Sequence, residues 1–196
     1  MNKTYDAAYF QRWYRGRDAG DRAALARKVS LAVATAEFFL QRPIRSVLDV
    51  GCGEAAWRAP LLKLRPKLHY QGVDSSEYAV ARYGRSRNIA LADFGQLEQL
   101  RFGAPVDLLI CSDVLHYVPT KELRRGLSGI GEHCSGLAFL DLYTREDAIA
   151  GDKRGFLPRR ATDYRRWFRE AGLRACAPQS YLSHSFEGQV AALEAF

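Results

Sequence analysis

The sequence has no long apolar segment and no cluster of cysteines. Its longest apolar stretch, residues 31–40, contains Glu37 and is too short to cross a bilayer. The amino-terminal residues lack the apolar core and small-residue cleavage site of a secretory signal. The cysteines are far apart, without CxxC or Cys/His ligand spacing, at Cys52, Cys111, Cys134 and Cys176. We therefore expect no metal site, no disulfide framework, no membrane association and a cytoplasmic location.

Composition and length indicate one globular domain over residues 1–196, with 47% hydrophobic and 26% charged residues. The net charge of +7 is uneven, because residues 1–30 supply +4 and residues 151–175 supply +5. Two interpretations are open. These segments are solvated, arginine-rich helix faces, or they hold an anionic substrate or nucleic acid.

Apolar strand-like runs alternate with helical stretches along the chain. Strands are predicted at 44–50, 68–73, 89–92, 106–111 and 137–142, with two β-like runs at 175–182 and 189–196. Helices are predicted at 55–64, 77–85, 96–100, 120–132 and 163–171, the last closed by Gly172. Apolar strands without alternation predict an α/β fold with a mainly parallel sheet, covered by helices on both faces.

Such sheets bind ligands beyond the carboxyl ends of their strands. The loops that follow the predicted strands are therefore candidate ligand loops: 49–54, 74–76, 93–94 and 112–117. The polar connection 143–160 contains Gly151, Gly155 and Pro158 and is long for a connection. We expect it to form a lid loop.

The first of these loops carries a glycine pattern, G-x-G-x-x-G/A, over residues 51–56. Asp74 follows Gly53 by 21 residues, which is the spacing of an acid that accepts from a ribose diol. The pattern suits either a dinucleotide or S-adenosylmethionine. Asp49 and Glu54 flank the loop and would repel a pyrophosphate, whereas they favour an ammonium and a sulfonium. The single carboxylate of S-adenosylmethionine would accept loop N–H groups, so we expect this cofactor.

Four segments resemble motifs of the class I S-adenosylmethionine-dependent methyltransferases: VLDVGCGEAAW, YQGVDSSEYAV, ALADFG and VDLLICSDVLHYV. The resemblance covers residues 46–142, with QVAALEAF supplying a last strand. It implies a Rossmann-like, doubly wound sheet of about seven strands, mostly parallel with an antiparallel last strand. The family usually has a third glycine where this chain has Ala55.

The resemblance also implies residue roles. Asp49 would favour the methionyl ammonium, Asp74 would accept from the ribose hydroxyls, and Asp93 would accept from the adenine amine. The remaining cofactor contacts implied are Gly51, Cys52, Gly53, Ser75, Phe94, Ser112 and Tyr9. For Asp74 and Asp93, a helix N-cap is the alternative role.

The predicted catalytic residues are His116, as a general base, and Tyr117 in the acceptor pocket. A structural hydrogen bond for His116 and core packing for Tyr117 are the alternatives. Aromatic residues at helical spacing predict that residues 1–40 form a helical cover over the cofactor. The residues expected to contact the acceptor are Trp13, Tyr14, Arg15, Tyr143 and Arg160.

The acceptor is expected to be a small molecule that is methylated on oxygen or nitrogen, and the basic segments leave an anionic acceptor open. The segment CSDVLHYV lacks the [DN]PP[YF] run of amine-methylating nucleic-acid enzymes, which disfavours a nucleic-acid substrate. RNA methylation stays the first alternative because of the basic segments. A protein that binds S-adenosylmethionine without catalysis is the second.

Overall fold

The computed structural model describes residues 5–14, 19–149 and 152–189. The helices are α1 (Ala7–Tyr14), α2 (Ala19–Leu40), α3 (Arg58–Leu64), α4 (Glu77–Arg87), α5 (Thr120–His133) and α6 (Ala161–Glu170). The strands are β1 (Ser46–Val50), β2 (His69–Asp74), β3 (Ile89–Leu91), β4 (Val106–Ser112), β5 (Cys134–Asp141), β6 (Arg174–Ala177) and β7 (Ser180–Leu182). Short 3₁₀ turns lie at Phe94–Gln96, Leu115–Tyr117 and His184–Gln189.

The seven strands form one sheet in the order β3-β2-β1-β4-β5-β7-β6. The first five in chain order pair in parallel, and β7 pairs antiparallel with both β5 and β6. The chain leaves β1 toward β2 and β3 on one side and continues at β4 on the other. The loops after β1 and β4 therefore face a crevice at the reversal of strand order. The predicted fold class is confirmed.

Helices cover both faces of the sheet. In β4, Leu108 and Ile110 pack into one apolar cluster with α2 and α3, whereas Leu109 and Cys111 pack into a second cluster with α5 and α6. Both faces of the central strands are therefore buried, and β4 is apolar at nearly every position. This double burial is the reason that the strands read as unbroken apolar runs in the sequence.

The described amino-terminal residues form two helices, α1 and α2, and their role as a cover over the cofactor stays a prediction. α2 packs on the sheet through Val29, Val33 and Ala36, which are buried. α1 is anchored by Phe10, whose ring stacks on Tyr78 with centroids 5.6 Å apart. These contacts hold α1 near the start of α4, beside the ends of β1 and β2.

Two predicted elements differ from the structure. The helix expected over 55–64 begins only at Arg58, because Ala55 has a φ of 56° and cannot join a right-handed helix. The run 175–182 is split into β6 and β7 by a tight turn in which Gln179 has a φ of 57°. The smaller boundary differences are of one to three residues, as expected for helix and strand ends.

The expected last strand at 189–196 falls almost wholly outside the described residues. Gln189, its first residue, lies in a 3₁₀ turn. Within the described residues, the strand antiparallel to β5 is Ser180–Leu182, paired with Leu137–Phe139.

No helix in the described part of the chain is long and apolar enough to span a membrane. The four cysteines are free thiols. Within residues 5–14, 19–149 and 152–189, no group of three metal-ligating side chains comes together.

Candidate active site

The loop after β1 turns sharply under the carboxyl ends of the sheet. Gly51 and Gly53 have φ values of 69° and 54°, a conformation that glycine adopts without strain. A Cβ atom on Gly51 would lie 2.3 Å from Cγ2 of Val114, so only glycine fits there. Ala55 occupies the same left-handed region at 56°, which costs an L-residue about 1 kcal/mol. The third family glycine is thus replaced at a position that does favour glycine.

The backbone donors of this loop are already engaged within the protein. The N–H groups of Gly51 and Cys52 both donate to the carbonyl oxygen of Val73, at 2.8 and 3.1 Å. The N–H of Gly53 donates to Oδ2 of Asp74 at 2.6 Å. These three N–H groups are therefore engaged within the protein, and the expectation that a cofactor carboxylate accepts from N–H groups of this loop stays a prediction for the others.

Asp49 is buried at the end of β1, with 2% of its surface exposed. Burial raises the pKa of Asp49 to about 7, although the Tyr70 hydroxyl donates a hydrogen bond of 2.7 Å to Oδ2 and opposes the shift. A cation placed beside this carboxylate would restore its ionisation. Glu54, the second acid of the loop, lines neither of the two cavities described below.

Asp74 lies at the end of β2 and joins two loops. Its Oδ2 accepts from Gly53, and its Oδ1 accepts from the N–H of Ser76 at 2.8 Å. Burial raises the pKa of Asp74, while these two N–H donors act against the rise. The N-cap of α4 is Ser76, whose hydroxyl accepts from Ala79, so Asp74 is not the cap.

A first cavity of about 200 Å³ opens at the crevice between the loops after β1, β2, β3 and β4. Its walls include Gly51, Gly53, Asp74, Ser75, Asp93, Phe94, Ser112 and Tyr9, all of them predicted cofactor contacts. Asp93 also begins the 3₁₀ turn at Phe94–Gln96, where its N–H donates to the side chain of Gln96 at 2.8 Å. Asp93 thus caps this 3₁₀ turn and also lines the first cavity.

A second cavity of about 430 Å³ adjoins the first. The two cavities share five lining residues, which therefore mark their junction: Tyr9, Gly51, Ser112, Asp113 and Tyr117. The remaining wall of the second cavity contains the predicted residues Asp49, Cys52, Trp13 and Tyr143. It also contains Asp21, Lys28, Trp57 and Asp152, which were not predicted.

Lys28 reaches the second cavity from α2. Its ammonium pairs with Oδ2 of Asp141, which also accepts from the Ser112 hydroxyl at 2.9 Å. The amide of Gln179 donates to Oδ1 of Asp141 at 2.9 Å. Burial alone would lower the pKa of Lys28, but the hydrogen bond and charge of Asp141 raise it, so this group stays protonated. Lys28 is consequently a fixed cation at the cavity wall.

His116 does not line either cavity. The 3₁₀ turn Leu115–Tyr117 directs it inward, where it is 1% exposed. Its Nδ1 accepts from the N–H of Tyr143 at 3.3 Å, and its carbonyl oxygen accepts from Leu157 at 2.9 Å. The geometry favours the structural alternative, in which His116 fastens the connection between β5 and α6.

Tyr117, by contrast, lies at the junction of the cavities. Its hydroxyl donates to the carbonyl oxygen of Asp152 at 2.5 Å. Burial raises the pKa of Tyr117, and the charges of Asp152 and Asp113 add to the rise. The hydroxyl therefore remains protonated at neutral pH and serves as a donor.

The predicted acceptor contacts are only partly brought together. Trp13 and Tyr143 line the second cavity. Arg160 is exposed at the start of α6 and lines neither cavity. Tyr14 ends α1, and its side chain is not among the described ones, while Arg15 lies outside the described residues.

The predicted lid connection 143–160 is fastened to the domain in the parts that the structure describes. The Arg159 guanidinium donates to the carbonyl oxygen of Val118 at 2.5 Å and to that of Leu115 at 3.3 Å. The N–H of Arg145 donates to the carbonyl oxygen of Arg159 at 2.7 Å. Opening this connection would break these bonds, so its role as a lid stays a prediction.

Two of the residues that sequence analysis missed, Lys28 and Asp21, approach the site from outside the motifs. Lys28 and Asp21 lie on α2, far from the motifs in sequence, and tertiary packing alone brings them to the site. Asp113 lies inside the predicted ligand loop 112–117, in which the sequence analysis selected His116 as the base. The position of Asp113 directly after β4 is the sequence feature that could have indicated it.

Comparison with known proteins identifies the fold and the domain. Residues 48–136 match the family model described as a methyltransferase domain. No curated protein matches the sequence significantly.

Several solved structures are similar to the chain. Magnesium protoporphyrin IX methyltransferase (ChlM) from Synechocystis PCC 6803, with bound SAH, has a TM-score of 0.66 and 19% identity over 91% of this chain and 96% of that chain. The sugar N-methyltransferase KedS8 from Streptoalloteichus sp ATCC 53650 has a TM-score of 0.62 and 19% identity over 93% of this chain and 94% of that chain. The [4+2]-cyclase SpnF has a TM-score of 0.58 and 20% identity over 83% of this chain and 62% of that chain. At these identities the likeness concerns the fold.

The matched domain, the fold and the motif loops together define the class. Residues 48–136 carry a methyltransferase domain, and the fold of the chain is that of the class I S-adenosylmethionine-dependent methyltransferases. The chain is an enzyme of that class, and S-adenosylmethionine is its methyl donor. The predicted family, enzyme class and cofactor are thereby confirmed.

Proposed function

We propose that this chain transfers the methyl group of S-adenosylmethionine to an oxygen or nitrogen atom of a small molecule held in the second cavity. The observation that carries the proposal is the pair of adjoining cavities at the crevice of the sheet, which share five residues. The second, at about 430 Å³, falls within the usual range of small-molecule pockets, roughly 300–1,000 Å³.

The residues of the first cavity fit the adenosine part of the cofactor. The Asp74 carboxylate, whose oxygens each have a further lone pair, would accept from the ribose hydroxyls. Phe94 would pack against the adenine ring, and Asp93 would accept from its amine. The loop that borders this cavity depends on Gly51, where Val114 leaves no room for a side chain.

The residues of the second cavity fit the methionyl part. Asp49 would pair with its ammonium, because a cation lowers the cost of ionising a buried carboxylate. Since the N–H groups of Gly51, Cys52 and Gly53 are engaged within the protein, the methionyl carboxylate needs another partner. Lys28 is the described cation of that cavity, and we assign it this role.

When bound, the cofactor supplies an electrophilic methyl group on a sulfonium. The contribution of the protein is to hold the acceptor in line with that methyl and to exclude water. Tyr9 lines both cavities and Trp13 lines the second, so α1 would cover the bound molecules, and Tyr117 offers a hydroxyl donor at the junction. His116 would keep the connection after β5 in place without touching the acceptor.

Two alternatives remain. RNA methylation would use the basic segments, but part of their charge serves the fold: Arg159 points inward, and Arg166 pairs with Asp163 and Glu170. The fold is also consistent with a protein that binds the cofactor without catalysis or that catalyses another reaction, since a [4+2]-cyclase has a similar fold. A cytoplasmic location remains our prediction and is supported by the four free thiols.

The test is methyl transfer from labelled S-adenosylmethionine to a panel of small amines, hydroxyl compounds and carboxylates, with unmodified RNA alongside. We expect label in at least one small molecule and none above background in RNA. Label in RNA alone would overturn the proposal in favour of the first alternative. Binding of S-adenosylmethionine with no transfer to any of them would favour the second.

A further inference from the structure

Asp113 occupies the position through which a methyl group would pass. It is one of the five residues that line both cavities, and among those five it carries the carboxylate. The other four are Tyr9, Gly51, Ser112 and Tyr117. In the proposed binding mode the adenosine lies in the first cavity and the methionyl part in the second, so the sulfonium that joins them, with its methyl group, would lie at this junction. Asp113 would therefore lie beside the reacting atoms.

The backbone fixes Asp113 in an uncommon conformation. Its φ is 60°, in the left-handed region, at the point where β4 ends. Its N–H donates to the carbonyl oxygen of Asp141 at 2.9 Å, which extends the β4–β5 pairing by one residue. The next residue, Val114, packs against Gly51. Non-glycine residues held in this region occur preferentially at functional sites.

The alternatives within the junction do not supply a proton acceptor. Burial raises the pKa of Tyr117, whose hydroxyl donates to Asp152. Ser112 donates to Asp141. His116 lies outside both cavities. An acceptor with a proton on its nucleophilic atom needs a base within hydrogen-bond reach.

We propose that Asp113 is the catalytic carboxylate that orients the acceptor and takes its proton, and that the acceptor is an amine or a hydroxyl compound. This inference rests on the proposed function. The lone pair of the acceptor nitrogen or oxygen forms the bond to the methyl carbon, the carbon–sulfur bond breaks with its electron pair left on sulfur, and the released proton goes to a carboxylate oxygen of Asp113. A carboxylate acceptor is disfavoured, because it needs no base and is repelled by Asp113.

The experiment uses two cofactor analogues and needs no knowledge of the acceptor. Sinefungin carries an ammonium where the cofactor carries its methyl group, whereas S-adenosylhomocysteine carries neither methyl nor charge there. Calorimetry measures both affinities for the wild-type protein and for Asp113→Asn. Asparagine also tolerates the left-handed conformation, so the variant should fold, and an unchanged melting temperature checks this. Asp21→Asn is the matched control, because Asp21 lines the second cavity away from the junction.

We expect Asp113→Asn to lower the affinity for sinefungin by at least about tenfold, because a charge-assisted hydrogen bond is lost. The affinity for S-adenosylhomocysteine should fall by less than about threefold. Asp21→Asn should change neither affinity selectively. Equal effects of Asp113→Asn on both ligands, or none on either, would overturn the assignment of Asp113 while leaving the proposed function intact. Failure of the wild-type protein to bind either analogue would instead contradict the proposed function.

With an acceptor identified from the panel, Asp113→Asn should lower kcat by about a hundredfold or more, since a positioned base contributes at least that much. A variant with wild-type kcat would exclude the catalytic role.

Discussion

The affinity of the protein for its cofactor should depend on pH through Asp49. Burial raises the pKa of this carboxyl to about 7, and the proposed partner is the methionyl ammonium. Binding then requires the ionised carboxylate. With a pKa of about 7, Asp49 is ionised in roughly a tenth of the molecules at pH 6 and in most of them at pH 7.5. The affinity for the cofactor should therefore rise about eightfold between these pH values.

The assay is calorimetry with S-adenosylhomocysteine, which carries the same ammonium, between pH 6 and pH 7.5. Asp49→Asn should bind more weakly at pH 7.5 and lose the pH dependence. Tyr70→Phe is the informative companion variant, because the Tyr70 hydroxyl lowers the pKa of Asp49 and its removal should move the midpoint to higher pH. A flat wild-type profile, or a slope that survives in Asp49→Asn, would refute the reasoning.

The same buried carboxyl should cost stability when no cofactor is bound. Its pKa in the folded protein lies above the ordinary value of 3.8 for an aspartate, so folding favours the protonated form. Stability is therefore full below about pH 4 and is lost as the pH rises toward 7, by about 4 kcal/mol in total. Asp49→Asn should resist denaturant better than wild type at pH 7.5, and the two should converge near pH 4. A variant less stable than wild type at pH 7.5 would contradict this.

Three further substitutions test other parts of the site. Lys28→Met should lower the affinity for S-adenosylhomocysteine by about tenfold or more, because it removes a hydrogen bond to a charged group. Arg27→Met, on the exposed side of α2, should leave this affinity unchanged. Equal affinities of the two variants would exclude Lys28 from the cofactor site. Ala55→Gly should stabilise the protein by up to about 1 kcal/mol in denaturant melts, because it relieves a left-handed backbone, and a loss of stability would show that the buried methyl group matters more. His116→Ala should lower the free energy of unfolding by about 2 kcal/mol or more, since it strands the N–H of Tyr143 and empties a buried position. A variant that keeps full stability but loses turnover would restore the catalytic role predicted for His116.

The fold was accessible from sequence because its strands are buried on both faces. The apolar run 106–111 has no alternation, and in the structure its side chains fill two separate clusters. The hairpin of β6 and β7 was not resolved in the prediction, because Gln179 turns the chain in a left-handed conformation without the glycine that usually marks it. Short turns of this kind depend on tertiary contacts more than on local residue preferences.

The cofactor loop could also be predicted from the sequence, but only one of its two acids lies at a cavity. Asp49 has the buried position that suits a cation, whereas Glu54 lines neither cavity and cannot decide the cofactor by its charge. The N–H groups expected to be available were taken by Val73 and Asp74. The motif indicates which residues form the loop. The acceptors of its N–H groups lie on β2, so they can be identified only once the pairing of β1 with β2 is known.

The acceptor side was much less accessible. A single 3₁₀ turn, Leu115–Tyr117, directs His116 into the protein interior and Tyr117 into the junction, and no sequence pattern fixes that choice. Lys28 meets Asp141 across 113 residues of chain. Side chains that approach from α1 and α2 shape the second cavity, so its chemistry depends on how these helices dock.

The central claim is that the two adjoining cavities hold S-adenosylmethionine through Asp49 and Asp74. The most direct test is a calorimetric titration at pH 7.5 of the wild-type protein and of Asp74→Ala, with S-adenosylmethionine and separately with NAD. The account predicts one S-adenosylmethionine per chain, a large loss of that affinity in Asp74→Ala when the variant is folded, and no binding of NAD. Binding of NAD without S-adenosylmethionine, or undiminished binding of S-adenosylmethionine by folded Asp74→Ala, would contradict it.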